Sequence, residues 1–264
     1  MDDWIEERLG LRALKGALLD KPLGPNVGWS QTLGAIALFL FLLQAATGVV
    51  LSFYYVPSPD HAYAAVTALD KEVPLGWLLR GLHRWGASLM VVAVLLHLGR
   101  SFLHGAYKPP REATWMAGVL LLFLTLAFGF TGYLLPWDQR AYWATVVGQW
   151  IIASIPFVGG ILVQALGGLE VGGATLSRFF VLHILLLPAA MVALLAVHLY
   201  LVQRHGVAGP PRQSTGAPRP FYPFHAVKDL AACLVVFLVL LGLAATLGAP
   251  LERVADPTDT THLP

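Results

Sequence analysis

Five long apolar stretches alternate with polar segments along the chain. Each reaches the roughly 20 residues that a helix needs to cross a bilayer, and they cover residues 32–55, 75–104, 114–135, 174–204 and 227–247. Two further apolar pieces, 142–155 and 157–166, are too short to span a membrane and indicate helices lying on one membrane face. The pattern predicts an all-α polytopic membrane protein with five transmembrane helices.

The segments around these stretches suggest the domain organisation. In residues 1–30, apolar positions such as Trp4, Leu11 and Leu18 recur at roughly helical spacing among charged residues, which is typical of an amphipathic helix on the membrane surface. The first four spans, within residues 31–205, are predicted to form a four-helix bundle. The rest comprises a cytoplasmic loop, the fifth transmembrane helix and an outer tail, at residues 206–226, 227–248 and 249–264.

The composition agrees with this interpretation and narrows the chemistry. Of the 264 residues, 57% are hydrophobic and 12% charged, with a mean hydropathy of +0.68, whereas about a quarter of the residues in soluble domains are charged. A net charge of +2 is too small to indicate nucleic-acid binding. The single cysteine, Cys233, excludes an intrachain disulfide and a zinc or iron–sulfur site built on cysteines.

The loop charges predict an orientation. Most of the 17 lysines and arginines lie on the side that the N-terminus shares, and cytoplasmic loops carry such an excess. We therefore expect a cytoplasmic N-terminus and an outer C-terminus. We expect a bacterial inner membrane because no transit peptide is visible, although an organelle-encoded chain would look the same.

Four histidines lie inside the apolar stretches. His83 and His97 are fourteen positions apart in the second span, and His183 and His198 are fifteen apart in the fourth. In an α-helix, fourteen steps fall about 40° short of four full turns and fifteen overshoot by about 60°, so each pair shares roughly one face about 21 Å apart along the axis. Because the two spans run in the same direction, His83 and His183 share an outer level, and His97 and His198 share an inner level.

Two facing histidines at each level predict a metal centre with two protein ligands. Ionisable side chains within a membrane are costly and usually functional. The plain alternative is that each histidine makes an interhelical hydrogen bond. Zinc would need further ligands, whereas the iron of a flat macrocycle needs only two axial ligands, so two haem groups fit the pattern.

Glycines and arginines accompany the histidines. Gly34 and Gly48 in the first span, and Gly118 and Gly132 in the third, repeat the spacing of fourteen positions. We interpret them as clearance for a porphyrin, the alternative being close helix packing at small residues. Cations that could bind haem propionates flank the histidines: Arg80, Arg84, Arg178 and Arg100. For Arg100 the alternative is an ordinary topology signal.

Several motifs resemble the cytochrome b family, the haem-carrying subunit of quinol:cytochrome c (or plastocyanin) reductases. They cover nearly the whole chain from about residue 20 and read QAATG (44–48), RGLHRW (80–85), HLGR (97–100), GYLLPWDQ (132–139), TLSRFF (175–180) and PFYPFH (220–225). The segment KPPRE (108–112) and the step of fifteen positions between the histidines of the fourth span resemble the short, split chloroplast and Gram-positive branch.

The resemblance implies roles for individual residues. His83 and His183 would bind the iron of a low-potential outer haem, and His97 and His198 that of a high-potential inner haem. Positions around the outer haem are Gln44, Arg80, Arg84 and Arg178, and those around the inner haem are Arg100 and Trp115. An inner quinone-reduction site would include Lys228 and Asp229. The wall of an outer quinol-oxidation site would include Tyr133, Trp143, Ala144 and Val147. The implied function is electron transfer between these quinone sites, a Q-cycle.

Two departures from the family qualify this expectation. The short branch often attaches a third haem through a cysteine in the first span, but Leu40 occupies that position here, so we expect two non-covalent haem b groups and no covalent third one. The family's Pro-Glu-Trp-Tyr motif and last three spans are absent. The expected partners are therefore a separate subunit that carries them, a Rieske-type iron–sulfur subunit and a cytochrome c-type subunit, in a dimeric membrane complex.

Two other functions remain open from the sequence. A di-haem cytochrome b that anchors a dehydrogenase or hydrogenase would share the four histidines without needing the GYLLPWDQ segment. A haem-free transporter would share only the apolar spans.

Overall fold

The computed structural model describes residues 2–9, 16, 20, 22–23, 27–208, 219–259 and 261. Within them, five helical segments are long and apolar enough to cross a membrane, so the predicted fold class is confirmed. These segments, called the first to fifth spans, are Trp29–Ser52, Gly76–Leu103, Glu112–Leu134, Gly173–His205 and Ala226–Leu247. Their ends lie within a few residues of the boundaries that hydropathy predicts.

The helices follow one another along the chain as α1 to α10. They are α1 Asp2–Leu9, α2 Leu33–Ser52, α3 Ala62–Glu72, α4 Gly76–Leu103, α5 Glu112–Leu134, α6 Gln139–Ala153, α7 Gly159–Leu166, α8 Gly173–Val181, α9 Leu187–His205 and α10 Ala226–Leu247. A 3₁₀ turn, Trp29–Thr32, precedes α2, and a π-helical turn, Leu182–Leu186, joins α8 to α9 inside the fourth span. Two short strands, Pro22–Leu23 and Arg219–Pro220, pair antiparallel.

The connecting elements agree only in part with the sequence interpretation. Helices α6 and α7 correspond to the two short apolar pieces between the third and fourth spans. The predicted surface helix of residues 1–30 lies largely outside the described residues, apart from α1. Helix α3 was not predicted, although Ala62, Val66 and Leu69, its buried residues, follow helical spacing.

The spans pack pairwise around two apolar clusters. The first span packs along the second and the third along the fourth, while the fifth packs against the second and the first. A middle cluster joins these spans through Leu40, Leu82, Met90, Ala93, Met191, Leu240 and Ala244. The second and fifth spans approach closely at Gly81, where an added Cβ would stand 2.9 Å from Cβ of Ala244. Small residues at this crossing let the two backbones meet.

A second cluster closes the end of the bundle where α6 lies. It contains Trp137, Tyr142 and Trp143 from the connector after the third span, packed on Leu134 and Phe179 of the spans. The Tyr142 and Trp143 rings meet edge to face with centroids 5.2 Å apart. This packing holds α6 against the bundle rather than across the membrane.

The tail after the fifth span is clasped to the start of α6. Gln139 accepts a hydrogen bond from the backbone N–H of Asp256 at 2.6 Å and donates to its carbonyl at 3.3 Å. The Asp138 carboxylate caps α6 at Ala141 N, 2.9 Å away, and also accepts from the N–H of Glu252 at 3.1 Å. The tail and α6 therefore form one unit at this end of the bundle.

We expect Gln139→Leu to loosen this clasp. Gln139 is fully buried, and its loss leaves backbone groups of Asp256 without their partner, at a cost of about 1–3 kcal/mol. That cost corresponds to about 5- to 150-fold more of the open tail, measured as faster trypsin cleavage after Arg253 in the detergent-solubilised complex. Gln164→Leu, which changes an exposed glutamine, is the control and should leave the rate unchanged. An unchanged rate in Gln139→Leu would contradict the clasp.

Candidate functional site

The histidines of the second and fourth spans face each other at the outer level, a name that follows the predicted orientation. The ring centroids of His83 and His183 are 6.2 Å apart. The Thr47 hydroxyl donates to the carbonyl of Leu43 at 2.7 Å and lies 2.9 Å from Nδ1 of His83. Since a hydroxyl has one proton to donate, Nδ1–H of His83 donates to Thr47, and Nε2 keeps a free lone pair.

The opposite histidine has the same arrangement. The Thr131 hydroxyl donates to the carbonyl of Ala127 at 2.8 Å and lies 3.1 Å from Nδ1 of His183. A hydrogen bond at one ring nitrogen determines which nitrogen can bind a metal, so Nε2 is the nitrogen that stays free to bind one in both imidazoles. Sequence reasoning missed these threonines, although a Thr-Gly dipeptide occurs in both neighbouring spans, at 47–48 and 131–132.

Each of the four histidines is approached by one of the four glycines. A Cβ atom added to the glycine would come close to Cε1 of the imidazole: 3.2 Å for Gly48 and His83, 2.5 Å for Gly132 and His183, 3.2 Å for Gly34 and His97, and 3.4 Å for Gly118 and His198. The structure thus places a histidine and a glycine from neighbouring spans opposite each other at both levels. A side chain at Gly132 would overlap the imidazole, one at Gly34 or Gly48 would press on it, and one at Gly118 would just touch it.

At the inner level, unpaired polar atoms lie near the histidines. Arg100, one turn after His97, donates from Nη2 to the carbonyl of Ala208 at 2.6 Å, and its Nε is buried without a hydrogen-bond partner in the described part of the chain. The hydroxyl of Thr114, whose backbone contacts His198, is also buried and unpaired. Buried donors without partners are costly, and these could bind an anionic group.

The remaining predicted neighbours of the two levels are placed differently. Arg80 binds Asp70 and the carbonyl of Ala249. Arg178 donates to backbone carbonyls at the end of α7. The Arg84 guanidinium lies 5.8 Å from the centre of the Trp85 ring. Arg80 and Arg178 are thus held by protein groups, and their role as propionate partners stays a prediction.

Two further residues were predicted to lie near the haems, Gln44 at the outer level and Trp115 at the inner level. Nε2 of Gln44, next to Gly86, is buried and unpaired within the described residues. Trp115 packs against Phe102 and Tyr107, with ring centroids 6.0 and 6.2 Å away.

The residues predicted to line an outer quinol site lie on α6 and at the end of the third span. Trp143 is buried, and its indole N–H has no partner among the described groups. Val147 is half-buried and Ala144 exposed on the same helix, and Tyr133, one residue before the end of α5, is 38% exposed. Sequence reasoning missed Gln149 of α6, which is fully buried with both amide atoms unpaired in the described structure. Its signal was a glutamine inside an apolar piece.

The residues predicted to reduce quinone lie at the start of the fifth span. Nε2 of His225 is 3.4 Å from Oδ1 of Asp229, one helical turn away, and Lys228 lies beside them. Nδ1 of His225 and Oδ1 of Asp229 are buried and make no hydrogen bond to any described residue. Burial lowers the pKa of His225, the Asp229 carboxylate opposes this, and Lys228 adds to the lowering, so the imidazole is neutral near pH 7.

A comparison with protein families decides the identity. A family model described as cytochrome b/b6/petB matches residues 18–206. This chain belongs to the cytochrome b family. Among its relatives, the cytochrome b6 proteins of Emiliania huxleyi and Synechococcus elongatus are each 44% identical to it over 209 residues, which cover 79% of this chain and 97% of the relative. These matches confirm the resemblance to the split b6 branch.

A solved structure extends the likeness beyond the b6 part. A chain of a hyperthermophilic respiratory Complex III superposes with a TM-score of 0.88 at 30% identity, covering 98% of this chain and 72% of the other. The likeness to the cytochrome b fold therefore includes the fifth span. Family and structure together support an oxidoreductase subunit that transfers electrons in a quinol-oxidising, multi-subunit cytochrome complex of the membrane.

The cytochrome b family implies haem, and the described residues of this member fit that cofactor. The ring centres of His83 and His183 are 6.2 Å apart, and each ring keeps Nε2 free, so these two histidines could hold one metal atom between them. No cluster of three or more metal-binding side chains occurs among the described residues, so the donor sets offer two ligands each. That number matches the two axial positions of haem iron.

Proposed function

We propose that this cytochrome b family member carries two non-covalent haem b groups in a quinol:cytochrome c reductase complex, with quinol oxidised near the outer face and quinone reduced near the inner face. The single observation that carries the proposal is the matched approach of a glycine to each histidine at both levels. His83 and His183 would hold the outer, low-potential haem. His97 and His198 would hold the inner, high-potential haem.

The residues around each level orient the ligands and bind charge. Thr47 and Thr131 keep the proton on Nδ1 of the outer histidines, which leaves Nε2 for iron. The four glycines leave room for the imidazoles at both levels. Arg100 and Arg84 would supply positive charge for propionates, as would Arg80 and Arg178 if they exchanged their present protein partners, with Gln44 and Trp115 as further neighbours. When bound, the two haems supply one-electron transfer across the membrane.

Quinol oxidation would take place beside α6. Tyr133, Trp143, Ala144 and Val147 would form part of the wall, and the indole N–H of Trp143, which has no partner among the described groups, would be available as a donor. The remaining wall would come from a separate subunit with the Pro-Glu-Trp-Tyr motif. A Rieske-type iron–sulfur subunit and a cytochrome c-type subunit would accept electrons, in a dimeric complex of a bacterial inner membrane with the N-terminus in the cytoplasm.

Quinone reduction would take place at the start of the fifth span. Nδ1 of His225 is buried without a hydrogen-bond partner among the described groups and points to a polar ligand there, because buried polar groups are normally paired. Asp229 would deliver a proton to reduced quinone, Lys228 would offset the developing negative charge, and the neutral His225 would hold the Asp229 carboxyl in place.

We expect Asp229→Asn to slow the reoxidation of the inner haem by quinone by about 100-fold or more, because proton transfer by a positioned side chain contributes about that much. The measurement is stopped-flow absorbance of the reduced complex mixed with quinone. Glu112→Gln is the matched control, since Glu112 is also an acid in the first turn of a span that starts at the inner side, and it should keep the wild-type rate. A wild-type rate in Asp229→Asn would remove this residue from the mechanism.

The test of the whole proposal is a dithionite-reduced minus oxidised spectrum of the native complex, with a haem count per chain. Two haems per chain, both extracted by acidic acetone, are expected. An iron–sulfur subunit and a subunit with the Pro-Glu-Trp-Tyr motif should copurify. Two haems without those partners would favour the dehydrogenase or hydrogenase anchor, and the absence of a Soret band would favour a transporter.

A further inference from the structure

The histidines of the second and fourth spans are spaced differently along the chain, yet they lie at the same two levels. His83 and His97 are fourteen positions apart, whereas His183 and His198 are fifteen apart. In a regular helix one extra residue turns the second side chain by about 100°. The glycines opposite them, however, are fourteen positions apart in both neighbouring spans. Some part of the fourth span must therefore take up one residue.

The π-helical turn Leu182–Leu186 includes His183 and extends from it toward His198. In it, the backbone N–H of Leu187 donates to the carbonyl of Leu182, a step of five residues instead of four. Pro188 follows directly. It has no N–H to complete the regular four-residue bond one turn back, so the chain is predisposed to widen here.

The wide turn accounts for the common register. Because it contains one residue more than an α-helical turn, the fifteen steps of the fourth span turn as far as the fourteen steps of the second. Both ends agree with this: an added Cβ on Gly132 would stand 2.5 Å from Cε1 of His183, and one on Gly118 would stand 3.4 Å from Cε1 of His198.

We propose that Leu182–Leu186 is a register-adjusting segment that absorbs one residue and so aligns His183 and His198 with the levels of His83 and His97. Its residues position the ligands and need not touch a cofactor. The inference deepens the proposed haem role and rests on it for the spectroscopic part of its test.

The test removes one residue between the histidines of each span. Deleting Leu185, 60% exposed, should convert the wide turn into a regular one and keep two haems per chain. Deleting Val92, 50% exposed and inside the regular helix α4, should rotate His97 away from its level and reduce the count to one haem or none. Leu185→Ala, which removes the side chain alone, is the control and should keep both.

Pro188 requires a second variant, since its ring could clash with a carbonyl of the newly regular helix. The deletion of Leu185 combined with Pro188→Ala should therefore retain both haems, as should Pro188→Ala alone. Loss of a haem in the combined variant, as in the Val92 deletion, would overturn the proposal. Retention of both haems after the Val92 deletion would overturn it too, because register would then not matter.

A structure of the combined variant within the intact complex gives a readout that needs no haem. Regular four-residue bonds through the segment, with His183 and His198 still opposite Gly132 and Gly118, would support the inference. A histidine turned away from its glycine would overturn it. If the wild-type complex contained no haem, the proposed function would be wrong. The positions of His183 and His198 in the variant structure would then still support or overturn the inference about the register.

Discussion

Replacing His183 with leucine is expected to remove the outer haem and to leave the inner haem bound. The imidazole is one of two ligands at its level, and leucine offers no atom that binds iron. The haem count of the purified complex should fall from two per chain to one, with loss of about half of the reduced-minus-oxidised absorbance. Electron transfer from quinol to the inner level should stop.

Two further variants make this result specific. His205→Leu changes a histidine at the end of the same span that faces none of the four glycines, and it should retain both haems. His183→Met should bind the outer haem again with a raised potential, because methionine can replace histidine as an axial ligand. Two haems in His183→Leu, or an unchanged potential in His183→Met, would remove His183 from the ligand set.

Gly132→Ala is expected to displace the outer haem although it replaces no ligand. The new methyl carbon would stand 2.5 Å from Cε1 of His183, and the ring, hydrogen-bonded to Thr131 at 3.1 Å, has little room to move away. Overpacking of this kind costs about 1–3 kcal/mol. The outer haem should be lost or only partly retained, as measured by haem content and a redox titration.

Gly129→Ala is the matched control for Gly132→Ala. It lies one turn earlier on the same helix, and an added Cβ there meets nothing within 4 Å. Alanine favours a helix over glycine by about 1 kcal/mol, so this variant should bind both haems and be at least as stable as the wild type. If the two alanine variants behave alike, steric pressure on His183 is not the cause.

Hydropathy and residue spacing were enough to predict the five spans and the two histidine levels. A bilayer forces long apolar helices, and an ionisable residue inside one stands out at once. The glycines could be matched to the histidines because both glycine pairs repeat the interval between His83 and His97. The longer step in the fourth span could not be explained from the sequence, because residue spacing predicts side-chain directions only in a regular helix and the fourth span widens before Pro188.

The parts that the sequence did not predict depend on distant contacts or on short elements. The hydrogen bonds between Gln139 and Asp256 join residues far apart along the chain. No local sequence pattern at either residue indicates that the two are partners. Helix α3 has only 11 residues, too few for its apolar periodicity to stand out. Arg80 was expected near the outer haem because it lies three positions before His83. Its side chain binds Asp70 instead, and the order of residues along the chain does not indicate this contact.

The carboxylate of Asp138 links helix α6 to the tail after the fifth span. One of its oxygens holds the first turn of the surface helix and the other holds the strand-like segment after the fifth span. Under the proposed function, a quinol bound beside α6 would shift that helix, and Asp138 would pass the shift to the tail through these two hydrogen bonds.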